Sequence, residues 1–211
     1  MRMRKKKHTD ERINACAGYI YDKNTVGTLE NKNFELEIGC GKGDFICETA
    51  QKFPGVNFVA VEKISDVAVL AIEKAKSLNI QNVKFLVANA KNLPEFFPED
   101  SVCMIYLNFS DPWHKRYQQN NRLTSPAFLE IYKKFMKPNA EIILKTDNAD
   151  LFEYSLKTLP ANGFEISRKT NDLYNGEIFD LSENVQTEYE KKFVAQNVKI
   201  CKLTAVLTRI L

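Results

Sequence analysis

The amino-acid sequence predicts a doubly wound α/β domain, in which helices cover both faces of a mainly parallel sheet. Short apolar runs rich in Val, Ile and Phe alternate with amphipathic stretches of helical periodicity. This alternation occurs five times, and successive strand–helix–strand units form parallel sheets through right-handed crossovers. The length of 211 residues, 44% of them hydrophobic, suits one sizeable core and is too short for two ordinary domains.

The strands of this sheet are predicted from apolar runs that are mostly too short to be helices. They are residues 34–38, 56–61, 83–87, 102–107 and 141–145. Three amphipathic stretches between them predict helices at residues 44–52, 65–78 and 126–136. The last of these has Thr124 or Ser125 available as its N-terminal cap.

The chain beyond residue 145 predicts the end of the sheet. A helix is expected near residues 148–159 and a strand near 164–168, followed by a polar stretch through Glu183 and a final strand near 199–207. This ending suits a sheet that is completed by an extra, antiparallel strand.

The composition excludes several classes of function. No apolar run reaches the eighteen residues of a membrane span, and the chain begins with charged residues, so we expect a cytoplasmic protein without a membrane partner. The five cysteines are scattered and form no C-x-x-C pair, which argues against disulfides and a zinc site. His8 and His114 are the only histidines, so neither a metal cluster nor a Ser-His-Asp triad is expected.

Positive charge is concentrated at the start of the chain although the net charge is only +3. The basic residues are Arg2, Arg4, Lys5, Lys6, Lys7 and Arg12. Such a segment is either a solvated tail or an arm that neutralises phosphates. We therefore divide the chain into a basic arm and lead-in at residues 1–30 and a single domain at 31–211, which could be a monomer or a homodimer.

A glycine-rich loop follows the first predicted strand. Gly39, Gly41 and Gly43 lie between this strand and the first helix, where open α/β sheets bind ligands. A dinucleotide fingerprint G-x-G-x-x-G would need a glycine at Asp44, so a dinucleotide oxidoreductase is disfavoured.

Polar side chains at three successive strand ends indicate the kind of ligand. Glu37 precedes the loop, where a carboxylate would repel a pyrophosphate and attract a sulfonium or amino group. Glu62 ends the second strand, where it could accept both hydroxyls of a ribose. Asn89 follows the third strand and could bind an adenine edge.

Four motifs carry a resemblance to a known family. The E-x-G-x-G-x-G pattern from Glu37 resembles the first motif of the seven-stranded S-adenosylmethionine methyltransferases. N-F-S-D-P-W at 108–113, K-T-D-N at 145–148 and T-E-Y-E at 187–190 resemble the bacterial tRNA guanine-N7 methyltransferases over nearly the whole chain. The resemblance implies the class I methyltransferase fold, a seven-stranded sheet with an antiparallel last strand, S-adenosylmethionine as cofactor and methylation of a variable-loop guanosine in tRNA.

The same resemblance implies roles for individual residues. The cofactor-binding residues would be Glu37, Gly39, Gly41, Glu62, Asn89 and Asp111. The guanine site would be shaped by Lys115, Asp147, Thr187, Glu188, Tyr189 and Glu190. Asp111 is the implied catalytic residue, although Asp147 and Glu190 are further candidates for a carboxylate that binds the guanine edge. Asp111 could also cap a turn before Pro112, and Thr187 could cap a helix with Glu190 as its capping-box partner.

The loop after Trp113 departs from the family pattern because it has fewer basic residues. Lys115, Arg116 and Arg122 remain, so a phosphate-binding loop is still expected. Two alternatives stay open: a methyltransferase that acts on an exocyclic amine, since Asp111-Pro112-Trp113 is similar to the D-P-P-[YFW] loop of such enzymes, and an inactive RNA-binding relative.

Overall fold

The computed structural model describes residues 8–22 and 33–208. Within these ranges the chain forms a seven-stranded sheet with the strand order β3-β2-β1-β4-β5-β7-β6. The strands are β1 (Phe34–Ile38), β2 (Asn57–Glu62), β3 (Val83–Val87), β4 (Val102–Asn108), β5 (Met136–Thr146), β6 (Phe164–Thr170) and β7 (Cys201–Leu207). Strand β7 is antiparallel to both β5 and β6, whereas β1 to β5 pair in parallel. The predicted fold class is confirmed.

Helices cover both faces of this sheet. They are α1 (Thr9–Asn14), α2 (Asp44–Lys52), α3 (Ser65–Ser77), α4 (Pro126–Tyr132), α5 (Ala149–Ala161) and α6 (Glu188–Ala195). Buried side chains of α2 and α3 form one core with Phe58, Ala60 and Phe85. Side chains of α4 and α5 form a second core on the other face, with Leu36, Ile105 and Leu144. No helix of the described ranges is long and apolar enough to cross a membrane.

The order of the strands determines where a ligand can bind. The chain runs outward from β1 through β2 to β3, then returns to β4 on the other side of β1. Neighbouring connections therefore leave β1 and β4 in opposite directions, which opens a crevice beyond the carboxyl ends of these two strands. The glycine-rich loop after β1 lies at this crevice.

The end of α4 and the start of β5 both differ from the prediction. The predicted helix at 126–136 ends at Tyr132, and Met136 already begins β5. Phe135 and Met136 are fully buried, and their apolar character suits a helix or a strand equally well. Within β5, Asn139 has a φ of 62°, the left-handed conformation that asparagine tolerates better than most residues.

The lead-in segment packs against the domain. In α1, the Arg12 guanidinium binds both carboxylate oxygens of Glu73 on α3, at 2.7 and 2.5 Å. The backbone amide of Tyr21 donates to the carbonyl of Phe85 on the edge strand β3. Arg12 is therefore engaged within the protein rather than available to a phosphate. The other basic residues of the predicted arm, at positions 2–7, lie outside the described residues.

Gly43 joins the glycine-rich loop to α2 at a close contact between helices. A Cβ at this position would lie 2.6 Å from the Cβ of Ala71 on α3, and the φ of Gly43 is 79°. Gly39 has a nearly equal φ of 83°, but a Cβ there would meet nothing within 4 Å.

We expect the substitution Gly43→Ala to destabilise the protein more than Gly39→Ala. Both variants carry the cost of a left-handed alanine, about 1–2 kcal/mol. Only Gly43→Ala adds a steric clash, which costs roughly another 1–3 kcal/mol. Urea unfolding of the two variants measures the difference, and equal losses of unfolding free energy would contradict the close packing of α2 on α3.

Candidate active site

A row of polar side chains crosses the carboxyl ends of the central strands. Glu37 on β1 is level with Tyr106 on β4, and Asn108, two residues further along β4, is level with Lys145 on β5. Residues two apart on a strand point to the same face. Glu37, Asn108 and Lys145 therefore share one face of the sheet, the face that α2 and α3 cover.

Glu37 is a buried carboxylate with an unused oxygen. It is 2% exposed, and its Oε1 accepts a hydrogen bond of 3.0 Å from Asn108 Nδ2. Glu37 Oε2 and Asn108 Oδ1 have no hydrogen-bond partner among the described residues. Burial raises the pKa of Glu37 to about 7, although Asn108 and Lys145 oppose the shift. A cation or a donor beside Glu37 would satisfy the free oxygen and stabilise the charged form.

The glycine-rich loop lies next to Glu37 and is held by the second strand. The amides of Gly39 and Cys40 donate to the carbonyl of Val61 at 2.8 and 3.0 Å. The amide of Gly41 donates to Glu62 Oε2 at 3.2 Å. The open space where Gly39 and Gly41 would carry a Cβ leaves their backbone accessible to a ligand.

A cleft separates this loop from the start of α6. It is lined by Glu37, Gly39, Cys40, Gly41, Lys42, Asp44, Phe45, Asn108, Phe109, Thr187, Glu188 and Tyr189. The structure thus places together two groups of predicted residues, the cofactor candidates Glu37, Gly39 and Gly41 and the substrate candidates at 187–189. Tyr189 is 58% exposed at the mouth of this cleft.

Ion pairs join the two walls of the cleft. Lys42, from the glycine-rich loop, contacts Glu188 Oε2 at 3.0 Å, and Lys192 on α6 contacts Glu188 Oε1 at 2.7 Å. Lys192 and Lys42 together lower the pKa of Glu188. Glu188 is therefore a charged residue that fixes α6 beside the loop.

The start of α6 is stabilised by a capping box. Thr187 Oγ1 accepts a hydrogen bond of 2.9 Å from the amide of Glu190, and Glu190 Oε2 accepts one of 3.3 Å from the amide of Thr187. The local alternative for Thr187 and Glu190 is thereby confirmed. Thr187 lines the cleft as well, so capping and ligand binding are compatible in this residue.

Glu190 forms a buried ion pair with Lys145 on β5. The two side chains are 0% and 2% exposed and their charged atoms lie 2.5 Å apart. Glu190 Oε1 also accepts hydrogen bonds from Tyr174 and Asn184, at 2.7 and 2.9 Å. Burial alone would raise the pKa of Glu190, but Lys145 and these donors lower it below its usual value. With no exposed surface and both oxygens engaged, the Glu190 carboxylate is bonded within the protein, and its role at the guanine site stays a prediction.

Arg122 is also buried, and it supports the loop that follows β4. It is 3% exposed, its Nε donates to the carbonyl of Pro112 at 2.7 Å, and its guanidinium lies 4.5 Å from the ring centre of Tyr154. Arg122 is therefore engaged within the protein, whereas Lys115 and Arg116 of the predicted phosphate-binding loop are exposed. The same loop contains two left-handed residues, Phe109 at φ 49° and Trp113 at φ 44°.

The remaining predicted residues lie outside the lining of the cleft. Glu62 is bonded to the glycine-rich loop, and Asn89 caps a short 3-10 helix by accepting from the amide of Lys91 at 3.0 Å. Asp111, Lys115 and Asp147 are exposed on the loops after β4 and β5. No group of three or more His, Cys, Asp or Glu residues in ranges 8–22 and 33–208 is arranged to hold a metal ion.

Comparison with known proteins identifies the family. Residues 31–203 match a family model described as "Putative methyltransferase". The tRNA (guanine-N(7)-)-methyltransferase of Mycoplasmopsis pulmonis is 43% identical over 195 residues, which cover 92% of this chain and 93% of the relative. The enzyme of the same name from Geobacillus kaustophilus is 40% identical and covers 98% and 97%. The chain belongs to the tRNA (guanine-N(7)-)-methyltransferase family.

Solved structures agree on the fold of this methyltransferase. A SAM-dependent methyltransferase from Aquifex aeolicus superimposes with a TM-score of 0.58 at 16% identity, covering 96% of this chain and all of that one. The fold is that of class I S-adenosylmethionine-dependent methyltransferases. Membership of the tRNA (guanine-N(7)-)-methyltransferase family gives S-adenosylmethionine as the cofactor.

The residues of the cleft fit this cofactor. S-adenosylmethionine carries a positively charged sulfonium and an amino group. The free oxygen of Glu37 could attract the sulfonium charge or accept a hydrogen bond from the amino group. The accessible backbone of Gly39 and Gly41 allows close approach of an adenosyl group. Glu62, fixed by two backbone amides, lies one strand further along the same edge.

The sequence patterns predict no role for three residues of the methyltransferase site. Asn108 and Lys145 lie within recognised motifs, but their contacts depend on the pairing of β4 with β1 and β5. Tyr174 lies in the polar stretch before α6 and binds Glu190. Asn108 could have been found, because it ends a strand whose neighbour ends near Glu37.

We expect cofactor affinity to rise about tenfold between pH 6 and pH 8. A group with a pKa of about 7 is roughly a tenth charged at the lower pH and nine-tenths at the upper one. A cationic ligand binds the charged form of Glu37. A protonated Glu37 must therefore release its proton on binding, and this requirement weakens the affinity at low pH. Titration calorimetry with S-adenosylmethionine at several pH values measures this dependence.

Two variants make this prediction specific. Glu37→Gln removes the titrating group and should give weaker binding with a smaller pH dependence. Glu35→Gln is the control, because Glu35 is on the same strand and its carboxylate binds Tyr106 outside the lining of the cleft. A full pH dependence in Glu37→Gln would rule out Glu37 as the cation acceptor.

Proposed function

We propose that this methyltransferase transfers the methyl group of S-adenosylmethionine to N7 of a guanosine in tRNA, forming 7-methylguanosine. The observation that carries the proposal is the cleft itself, where the cation acceptor Glu37 faces the segment Thr187–Tyr189. Relatives that match over more than nine-tenths of the chain are tRNA (guanine-N(7)-)-methyltransferases. The guanosine is, by the same family resemblance, in the variable loop.

The chemistry requires positioning more than proton transfer. Guanine N7 has a lone pair and no proton, so it can attack the methyl carbon without a general base. The bond between N7 and carbon forms as the bond between carbon and sulfur breaks. Holding the reacting atoms in line supplies on the order of 7–11 kcal/mol. Two elements around the cleft are fixed and suit this role. The glycine-rich loop is hydrogen-bonded to β2, and α6 begins with a capping box.

Charge stabilisation is the second contribution of the protein. Positive charge moves from sulfur into the purine as the methyl group moves, so the N1 and N2 hydrogens of guanine become better donors. A carboxylate bonded to them binds the transition state more tightly than the ground state. We assign this role to Asp111, with Asp147 as the second candidate, because both are exposed at the carboxyl ends of adjacent strands.

Other exposed groups would hold the RNA. Lys115 lies on the loop after β4, where it could bind a phosphate or a base oxygen. Trp113 or Tyr189 could stack on a guanine turned out of the RNA. Glu190 acts indirectly in this proposal, by holding α6 in place through Lys145. The five cysteines are free thiols, which suits action in the reducing cytoplasm.

We expect Asp111→Asn to lower kcat/KM for tRNA by about 10²–10³, the usual loss when one transition-state hydrogen bond is removed. Steady-state methyl transfer measures the effect. Asp150→Asn, at the start of α5, is a matched control that should keep normal activity. Near-normal transfer by Asp111→Asn would remove Asp111 from the catalytic group and favour Asp147.

The reaction itself is tested by the product. Purified protein is incubated with methyl-labelled S-adenosylmethionine and unmodified bulk tRNA, and the nucleosides are identified by mass spectrometry. Labelled 7-methylguanosine is the expected product. Label on N2 or N6 of a purine would favour the alternative of an exocyclic-amine methyltransferase, and measurable cofactor binding without transfer would favour an inactive RNA-binding relative.

A further inference from the structure

Two cationic side chains meet at one aromatic ring beside α6. The guanidinium carbon of Arg168 on β6 lies 5.2 Å from the ring centre of Phe179, and Nζ of Lys202 on β7 lies 4.5 Å from it. Phe179 is 6% exposed and belongs to a small core with Leu173 and Ile200. The polar stretch before α6 is thus anchored on the sheet between two positive charges.

Neither of these charges forms an ion pair with a carboxylate of the described residues. The ion pairs formed within residues 8–22 and 33–208 include neither Arg168 nor Lys202. Glu190 and Glu183 are the acidic residues whose charge acts on Lys202, and Glu190 is already occupied by Lys145. Burial lowers the pKa of Lys202 to about 8, and the charges of Lys145 and Arg168 add to this effect. The cluster therefore has an excess of positive charge that an anion would relieve.

The cluster continues the polar row of the active site. Lys202 is directly opposite Lys145 in the antiparallel pair of β7 with β5, so both point to the face that carries Glu37 and Asn108. Arg168 pairs with Thr204, two residues from Lys202, and shares that face. Adjacent strands are about 4.8 Å apart, so Arg168 lies roughly 10 Å beyond Lys145, outward from the cleft.

We propose that Arg168 and Lys202 form a binding site for a backbone phosphate of the RNA substrate, next to the nucleotide that enters the cleft. Arginine offers a planar fork for phosphate oxygens, and a partly buried lysine supplies a fixed point charge. The site would orient the RNA strand along the outer part of the sheet. It would compensate in part for the basic residues missing from the loop after Trp113. This inference rests on the proposed tRNA substrate.

The salt dependence of RNA binding tests the proposal. The variants Arg168→Met and Lys202→Met keep the aliphatic stems that pack on Phe179 and remove only the charge. Binding of unmodified bulk tRNA is measured by fluorescence anisotropy at several salt concentrations. Each variant should weaken binding and reduce the slope of log affinity against log salt by about one, as expected for one lost phosphate contact.

Lys169→Met is the matched control. Lys169 is exposed on the same strand but pairs with Leu203, and it therefore points to the opposite face. It should keep the wild-type slope, and Arg168→Lys should keep most of it. Cofactor affinity should be unchanged in all variants, which separates RNA contact from damage to the cleft.

Two results would overturn the proposal. One is a slope in Arg168→Met and Lys202→Met equal to that of Lys169→Met. The other is a loss of thermal stability with an unchanged slope, which would mean that the two cations only clamp Phe179. The outcome is independent of the product assay. If the wild type makes no 7-methylguanosine but Arg168→Met and Lys202→Met still reduce the slope, the phosphate site is retained and the proposed reaction is rejected.

Discussion

The buried ion pair between Lys145 and Glu190 is the interaction on which the architecture of the site depends. Lys145 extends from the central sheet, and Glu190 lies in the first turn of the helix that forms one wall of the cleft. The Glu190 carboxylate also accepts hydrogen bonds from Tyr174 and Asn184. Lys145 Nζ donates to the carbonyl of Val185 at 2.7 Å. A segment with little apolar core of its own is thereby fixed against the sheet by directional bonds.

This arrangement places polar groups where a core would ordinarily be apolar. Glu37, Asn108 and Lys145 are all less than a tenth exposed, and an oxygen of Glu37 and one of Asn108 remain without a partner in the described structure. Buried polar groups without partners destabilise a fold. Ligand binding best explains the two free oxygens at the carboxyl ends of β1 and β4, because departures from ordinary packing are expected at functional sites.

Much of the fold follows from local patterns in the sequence. The apolar runs predict the five parallel strands β1 to β5, and the T-x-x-E spacing of Thr187 and Glu190 identifies the capping box. The end of α4 is not predicted, because Phe135 and Met136 suit either a helix or a strand. The place of Glu37 and of the glycine loop in the cleft could be predicted, because the sequence itself shows that they lie at the end of a strand and directly after it.

The roles of the buried basic residues could not be predicted in this way. Arg122 and Lys145 would ordinarily be assigned to the surface, because lysine and arginine are rarely buried without a partner. Their partners are Pro112, ten residues away, and Glu190, 45 residues away. The contact between Lys145 and Glu190 depends on the complete sheet and on the path of the chain after β6, and a local motif encodes neither of these.

A double-mutant cycle on Lys145 and Glu190 tests the central claim most directly. The free energy of unfolding in urea is measured for the wild type, Lys145→Met, Glu190→Gln and the double variant, together with methyl transfer to tRNA. If the pair holds α6 on the sheet, each single variant loses about 3–5 kcal/mol because it leaves a buried group without its partner, and the double variant loses much less than the sum. Methyl transfer should fall in both single variants. Additive losses, or single variants with normal stability and transfer, would contradict the account.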